Sequence, residues 1–268
     1  MRQDELDRLA PRICRLARQA GDAIMRIYAA QGEDVLLAHK SDDSPLTQAD
    51  LASHHCIRDG LHQLTPDLQV VSEEDADSLQ HRVPQGSFWL IDPLDGTKEF
   101  LARNGEFTVN IALVVDGAPV WGAVYAPALD QMYWGGRDFG AFRQQQGQVA
   151  AIRVAAPVGS GGRYRVVASK SHLNAETSAF IEGLGSADLV QAGSSLKFCR
   201  IAEGQADVYP RLAPTCEWDT AAAQAVVEGA GGHVVDTSGV RLCYGRPDLL
   251  NPHFVVASVP LEWLGGRR

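Results

Sequence analysis

A run of strand-like segments over residues 107–154 limits the folds open to this chain most strongly. Four apolar segments rich in β-branched and aromatic residues follow one another there, separated by turn signals such as Asp116-Gly117. The segments are TVNIALVV, VWGAVYA, QMYWGG and GAFRQ. Connections this short join antiparallel neighbours, because parallel strands need a long crossover. The middle of the chain is therefore predicted to form an antiparallel meander.

The chain before the meander has a helical pattern. Apolar residues recur every three or four positions over residues 6–27, which predicts a long amphipathic helix. A second helix is predicted from near Thr47 to about Leu64, ahead of a Thr-Pro-Asp break. Two short apolar strands are predicted at residues 68–72 and 88–91.

Strands and helices alternate in the second half of the chain. The best linker candidate is Gly159-Ser160-Gly161-Gly162. After it, helices are predicted near residues 175–183 and 196–203 and from Asp219, between strands such as RVVAS, DLVQAG and FVVAS. The predicted fold class is α+β leading into α/β, with an N-terminal α+β subdomain (residues 1–158) and a C-terminal α/β subdomain (residues 159–268).

Composition excludes several classes of protein. The 268 residues are 45% hydrophobic and 21% charged, as in an ordinary soluble globular protein. The five cysteines are scattered and form no CxxC pair, which indicates reduced thiols in a cytoplasmic protein. Charges interrupt the N-terminal segment, which argues against a secretory signal, and no apolar stretch predicts a transmembrane helix.

The charge pattern indicates the kind of partner. A net charge of −9 without a Lys/Arg-rich run argues against a nucleic-acid polymer. The terminal Arg267-Arg268 leaves open a peripheral contact with an acidic inner-membrane surface. An acidic chain can still take a phosphorylated small molecule if divalent metal ions offset its carboxylates.

The densest acidic motif is DPLDGT, residues 92–97, directly after an apolar strand. Carboxylates at such a place are costly unless a cation meets them. Mg²⁺ prefers carboxylate oxygens, a carbonyl and waters, and the Leu94 carbonyl lies between the two aspartates. The proline is expected to end the strand, and the amides of Gly96 and Thr97 to begin a short helix that cradles a phosphate. Alone, the motif is equally compatible with a plain Asp-Gly turn.

Three further acidic segments are ambiguous when each is taken alone. VVSEED, residues 70–75, ends an apolar strand in carboxylates but is also typical of a solvated loop. CEWDTAA, residues 216–222, is also typical of a helix N-cap. In PLTQAD, residues 45–50, Thr47 and Asp50 form a capping-box-like helix start.

Together and in order, the four segments resemble the signature motifs of the inositol-monophosphatase superfamily. The resemblance covers most of the chain and implies the layered αβαβα fold of the inositol monophosphatases and fructose bisphosphatases. It implies that Asp50 and Thr97 orient and deprotonate the attacking water. Two or three Mg²⁺ ions would polarise the phosphoryl group, and sensitivity to lithium is expected. The implied metal ligands are Glu73, Asp92, the Leu94 carbonyl, Asp95 and Asp219.

Motifs of the second half indicate the phosphate ester. GSSLKFC, AEGQA, YPR and SKSH, over residues 169–211, resemble the 3′(2′),5′-bisphosphate nucleotidases, and DGTKEF and NGEFTVN resemble the bacterial CysQ-type members. A second phosphate needs cations of its own, for which Lys197, Arg211 and His172 are candidates, while Gly193 would let the backbone approach the ligand. The implied substrate-binding residues are Glu73, Leu94, Asp95, Gly96, Thr97, Ser171, His172, Gly193, Lys197, Arg211 and Asp219.

These motifs predict Mg²⁺-dependent hydrolysis of adenosine 3′,5′-bisphosphate, or of its sulfated form, linked to sulfate assimilation. The products would be AMP, or adenosine 5′-phosphosulfate, and phosphate. Two alternatives stay open: an inositol or sugar monophosphatase with the same metal site, and a nucleotide-binding regulator without catalysis. The expected partner is a small molecule, and a cytoplasmic monomer is favoured.

Overall fold

The computed structural model describes residues 3–30, 36–39, 45–159, 161–168 and 174–266. Its helices are α1 (Gln3–Ala29), α2 (Gln48–Leu64), α3 (Thr97–Leu101), α4 (Ala175–Gly183), α5 (Leu196–Ala202) and α6 (Ala221–Gly229). Its strands in the first half are β1 (Leu36–His39), β2 (Pro45–Thr47), β3 (Gln69–Ser72), β4 (Ser87–Asp95), β5 (Thr108–Val115), β6 (Ala118–Ala126), β7 (Gln131–Gly136), β8 (Gly140–Gln145) and β9 (Gln148–Ile152). The second half adds β10 (Tyr164–Ala168), β11 (Ala187–Gln191), β12 (Val208–Arg211), β13 (His233–Asp236) and β14 (Phe254–Ala257). No described helix is long and apolar enough to cross a bilayer.

The predicted meander forms the middle of the larger sheet, whose strand order is β3-β4-β5-β6-β7-β8-β9. Strands β4 to β9 pair antiparallel, which confirms the predicted meander for β5 to β8 and extends it by β4 and β9, and β3 pairs parallel with β4. The expectation that the proline would end the strand is wrong, because β4 continues to Asp95. Pro93 lies where the β4–β5 register shifts, between Asp92 and Asp95. A bulge leaves residues outside the ladder, so a residue without an N–H fits there.

The smaller of the two main sheets has the strand order β11-β10-β12-β14-β13, and β1 pairs antiparallel with β2 in a separate two-stranded sheet. Strand β10 pairs parallel with β11 and β12, whereas β14 pairs antiparallel with β12 and β13. The α/β alternation is thus confirmed for its first strands, and the last two form an antiparallel edge. The predicted helices at 175–183 and near 196–203 are present as α4 and α5, and α6 begins two residues after Asp219.

Helices and sheets stack in five layers. Apolar residues of α1 and α2, such as Ile13 and Ile57, pack with Trp89 and Ile111 on one face of the larger sheet. Helices α5 and α6 lie between the two sheets, and α4 covers the outer face of the smaller sheet beside Val208. This is the αβαβα arrangement that the resemblance implied.

The layer between the sheets joins the two halves of the chain. Phe88 and Val124 share one buried cluster with Phe198 and Val226. Helix α6 approaches β6 so closely that a Cβ on Gly122 would collide with backbone atoms of Ala222. The subdomain division at residue 158 stays a prediction, and its linker candidate includes Ser160, outside the described residues.

Candidate active site

Two carboxylates lie side by side at one edge of the larger sheet. Strands β3 and β4 run parallel, with Ser72 opposite Ile91, so Glu73 and Asp92 both follow directly. The Glu73 amide lies 3.4 Å from the Ile91 carbonyl oxygen, which continues the pairing up to that point. Asp92 is 1% exposed. Burial of a carboxylate at a strand end is costly, so these residues require a cation or hydrogen-bond donors.

The bulge in β4 shapes the segment that carries Asp92, Leu94 and Asp95. The Leu94 amide donates to Oδ1 of Asp92 over 3.1 Å. Gly96 then takes a left-handed conformation (φ 94°), and a Cβ there would collide with the Ser194 hydroxyl. Only glycine meets both conditions, so the turn into α3 depends on it.

Asp50 connects the start of α2 to Thr97. Oδ2 of Asp50 accepts hydrogen bonds from the Thr47 amide (2.8 Å) and the Thr47 hydroxyl (2.5 Å), which completes the predicted capping box. The Thr97 hydroxyl lies 3.2 Å from Oδ1 of Asp50 and 3.4 Å from the Leu94 carbonyl oxygen. The fold therefore brings together the two residues proposed to handle the water, although they are 47 positions apart in the chain.

Asp219 comes from the second half and completes the acidic group. It lies in a 3₁₀ turn, Glu217–Asp219, and its Oδ2 accepts the Cys216 amide over 2.8 Å. It therefore caps that turn. The alternative interpretation, in which Asp219 is the N-cap of α6, is wrong. Burial, together with the charges of Asp95 and Glu73, raises the pKa of Asp219 to about 8. Carboxylates this close destabilise one another when ionised, and a divalent cation removes that penalty.

The donor set fits a hard cation. Its members are carboxylates and one carbonyl, with no imidazole or thiolate, which favours Mg²⁺ over Zn²⁺ or copper. Among the described residues, no three His, Cys, Asp or Glu side chains are arranged to hold an ion by themselves. Mg²⁺ does not require such a cage, because it keeps several waters and binds through one or two carboxylates plus substrate phosphate oxygens. The ligand assignments themselves stay predictions.

Asp95 is held by residues that the sequence analysis did not single out. Its Oδ2 accepts the Ser195 amide (2.6 Å), the Ser195 hydroxyl (2.8 Å) and the Thr108 hydroxyl (3.3 Å). The Asn110 side-chain amide lies 3.5 Å from the same oxygen. Ser195 and Asn110 were quoted only as parts of motifs, and no local pattern reveals contacts across 85 or 100 positions.

Two cations and a tyrosine line the site beside the carboxylates. Burial lowers the pKa of Lys197, and nearby Arg211 lowers it further, while Asp95 opposes the shift. Nζ of Lys197 lies 5.9 Å from the centre of the Tyr209 ring, and no hydrogen bond or ion pair joins it to the described residues. Arg211 donates to the Pro214 carbonyl over 3.1 Å, but its buried Nε has no partner within the described part of the chain. Unsatisfied buried donors of this kind suit an anion.

Three other predicted substrate contacts, Gly193, Ser171 and His172, are not tested by the geometry. A Cβ on Gly193 would lie 2.8 Å from the Cβ and carbonyl oxygen of Glu106, so packing against Glu106 also requires glycine there. Its approach to a ligand stays a prediction. Ser171 and His172 lie outside the described residues.

Comparison with protein families decides the assignment. The model of the inositol monophosphatase family matches residues 5–265. The chain belongs to the inositol monophosphatase family. Members of this family depend on metal ions, generally Mg²⁺.

The proteins similar to this chain include several that are named CysQ. The chain is 48% identical over 245 residues to 3′(2′),5′-bisphosphate nucleotidase CysQ of Salmonella typhimurium. The aligned region covers 91% of this chain and 97% of that protein. It is 48% identical over 247 residues to the protein of the same name from Escherichia coli K12, with 91% and 98% covered. The crystal structure of CysQ from Bacteroides thetaiotaomicron superposes with a TM-score of 0.80 at 38% identity, covering 91% of this chain and 95% of that one. An inositol monophosphatase from Anabaena has a TM-score of 0.73 at 20% identity, which shows a shared fold only.

Proposed function

We propose that this chain is an Mg²⁺-dependent 3′(2′),5′-bisphosphate nucleotidase that converts adenosine 3′,5′-bisphosphate to AMP and phosphate. One observation carries the proposal: two cations, Lys197 and Arg211, lie beside the acidic group of Asp95 and Asp219. Nζ of Lys197 and Nε of Arg211 have no hydrogen-bond partner among the described residues. A monophosphate occupies only the metal side of such a site. A bisphosphate also uses the cations. The names of the similar CysQ proteins agree with this choice.

The water would be handled by Thr97 and Asp50. Oδ1 of Asp50 accepts the Thr97 proton over 3.2 Å, which leaves the lone pairs of the Thr97 oxygen available to a water proton. As the water oxygen bonds to phosphorus, its proton passes to this pair. The bond between phosphorus and the 3′ oxygen breaks, and that oxygen takes up a proton as the AMP hydroxyl.

Glu73, Asp92, the Leu94 carbonyl, Asp95 and Asp219 would hold the metal ions. Bound Mg²⁺ supplies charge that polarises the phosphoryl group, acidifies the water and stabilises the leaving oxygen. Phosphoryl transfer needs little more than this positioning and charge stabilisation. We propose two or three ions.

The second phosphate would be bound by Lys197 and Arg211. Nε of Arg211 has no hydrogen-bond partner within the described part of the chain, so it can donate to a phosphate oxygen, and Lys197 supplies a compact charge. Ser171 and His172 are proposed to contribute as well. Acceptance of the sulfated nucleotide, a cytoplasmic location and the monomeric state remain predictions from the sequence.

The test compares phosphate release from adenosine 3′,5′-bisphosphate and inositol 1-phosphate, with Mg²⁺, with EDTA and with added Li⁺. We expect release from the nucleotide that requires Mg²⁺ and is inhibited by Li⁺. Release mainly from inositol 1-phosphate would retain the metal chemistry and contradict the substrate assignment. Mg²⁺-dependent binding of the nucleotide without release from either compound would indicate a regulator and refute the enzymatic proposal.

A further inference from the structure

Ser195 lies between two of the proposed metal ligands. It is 1% exposed and immediately precedes α5. Its amide and hydroxyl contact Oδ2 of Asp95 at 2.6 and 2.8 Å, and the same hydroxyl lies 3.1 Å from the Asp219 carbonyl oxygen. One small buried residue thus touches a ligand side chain of the first half and a ligand backbone of the second.

The hydrogen-bond partners fix the direction of the Ser195 proton. Nδ2 of Asn110 lies 2.9 Å from Oγ of Ser195, and because an amide nitrogen only donates, the serine oxygen accepts there. Nδ2 also faces Oδ2 of Asp95 at 3.5 Å, which supports this amide orientation. The single Ser195 proton must therefore point to Asp95 or to the Asp219 carbonyl. The shorter contact, to an ionised carboxylate, is the stronger bond.

These bonds give the two oxygens of Asp95 different roles. Oδ2 receives the Ser195 amide, the Ser195 hydroxyl and the Thr108 hydroxyl. Within the described part of the chain, no hydrogen bond reaches Oδ1. A carboxylate whose one oxygen is saturated by protein donors cannot rotate without losing them, so it presents the other oxygen in a fixed direction.

We propose that Ser195 is a positioning residue, which commits Oδ2 of Asp95 to the protein and thereby presents Oδ1 to the metal ion. This inference rests on the proposed function, because it takes Asp95 and Asp219 as ligands. The sequence-derived ligand set does not contain this residue.

The inference predicts a defect in metal affinity and not in the chemical step. Ser195→Ala removes the hydroxyl but keeps the amide bond and the volume. Loss of a residue that orients a ligand typically weakens metal binding by about 10–100-fold. We expect that loss in a calorimetric Mg²⁺ titration of the protein without substrate, and in an Mn²⁺ titration followed by electron paramagnetic resonance. The Mg²⁺ concentration for half-maximal hydrolysis should rise by the same factor, while kcat at saturating Mg²⁺ stays within about threefold of wild type.

Ser53→Ala is the matched control. Ser53 is also buried, and its hydroxyl donates to the Pro93 carbonyl over 2.7 Å, in the ligand-bearing segment but without touching a ligand carboxylate. Its Mg²⁺ affinity should stay within about twofold of wild type, although this variant also loses a buried hydrogen bond. If Ser195→Ala does not fold, Ser195→Cys keeps a weaker donor of similar size, and an intermediate loss of affinity is expected.

The outcomes separate this inference from the function on which it rests. If Ser195→Ala folds and its Mg²⁺ affinity is unchanged, or falls no more than that of Ser53→Ala, the positioning role is overturned. The proposed function is unaffected by this outcome as long as the wild-type protein has nucleotidase activity. Wild-type protein that neither binds Mg²⁺ nor releases phosphate refutes the proposed function itself. Selective loss of affinity in Ser195→Ala supports the proposal.

Discussion

Replacing Lys197 by methionine tests how the site distinguishes a bisphosphate from a monophosphate. Methionine keeps the length of the side chain and removes the ammonium group. Burial already lowers the pKa of Lys197, so the folded protein carries a cost for this charge. An apolar replacement relieves that cost. The unfolding midpoint should therefore stay unchanged or rise, while binding of the second phosphate weakens.

The expected magnitude follows from the contacts of Lys197. Its Nζ has no hydrogen bond or ion pair with the described residues, lies 5.9 Å from the centre of the Tyr209 ring, and interacts with the charges of Asp95 and Arg211 only at longer range. All of its charge-assisted bonding is therefore available to the substrate. One such bond contributes about 1.5–3 kcal/mol, which lowers kcat/KM for the bisphosphate by about 10- to 150-fold.

The assay measures kcat/KM for adenosine 3′,5′-bisphosphate and for adenosine 3′-monophosphate, which lacks the second phosphate. The Lys197→Met substitution should lower the first value and leave the second within about twofold of wild type. Lys98→Met is the control, because Lys98 is an exposed cation on the nearby helix α3. It should change neither value.

Equal losses on both substrates would refute the reasoning. Lys197 would then act on the transferred phosphoryl group or on the carboxylates, and the second phosphate would be bound elsewhere. An unchanged value for the bisphosphate would contradict any role for Lys197 in binding it.

Three further predictions concern the acidic site and the fold around it. Asp95→Asn should abolish turnover with an unchanged circular dichroism spectrum, and a rate above about a tenth of wild type would contradict its assignment as a metal ligand. Glu217 is fully buried and lies 3.1 Å from Arg82, so Glu217→Ala should lower the free energy of unfolding in urea by about 3–5 kcal/mol. Asp188→Ala removes an exposed ion pair and should have little effect. Burial lowers the pKa of His54, and the neighbouring positive charges lower it further. Below about pH 6.5 the unfolded chain therefore binds a proton that the folded protein does not, so the free energy of unfolding decreases as the pH falls. In urea titrations from pH 7 to 5, His54→Gln should reduce the slope of the unfolding free energy against pH by up to the amount that corresponds to one bound proton per molecule. An unchanged slope would contradict this prediction.

Local patterns were sufficient for most of the helices and for the meander. The apolar periodicity over residues 6–27 predicted α1, and the Thr47–Asp50 capping box predicted the start of α2, because both signals depend only on near neighbours. The antiparallel pairing of β5 to β8 followed from short turns in the same way.

Features set by distant partners were not accessible to the sequence. Strand β4 passes through Pro93 at the point where its register with β5 shifts, and that shift depends on the pairing of two separate strands. Packing of α6 on β6, with Gly122 against Ala222, also depends on residues far apart in the chain.

The candidate site was predictable from the order of its motifs and not from any one of them. Each acidic segment alone was compatible with a turn, a loop or a cap, and only the set resembled one family. The geometry adds what the motifs leave out, namely that Asp95 depends on Ser195 and Asn110 for its orientation. Hydrogen bonds between such distant residues leave no local pattern to read.

Identification of the reaction product tests the central claim most directly. Adenosine 3′,5′-bisphosphate would be incubated with the purified full-length protein, with Mg²⁺ or after chelation, and the products separated by chromatography. A bisphosphate nucleotidase of this design yields 5′-AMP and one phosphate per nucleotide with Mg²⁺, and nothing after chelation. Formation of 3′-AMP or adenosine, or release that persists without Mg²⁺, would contradict the account.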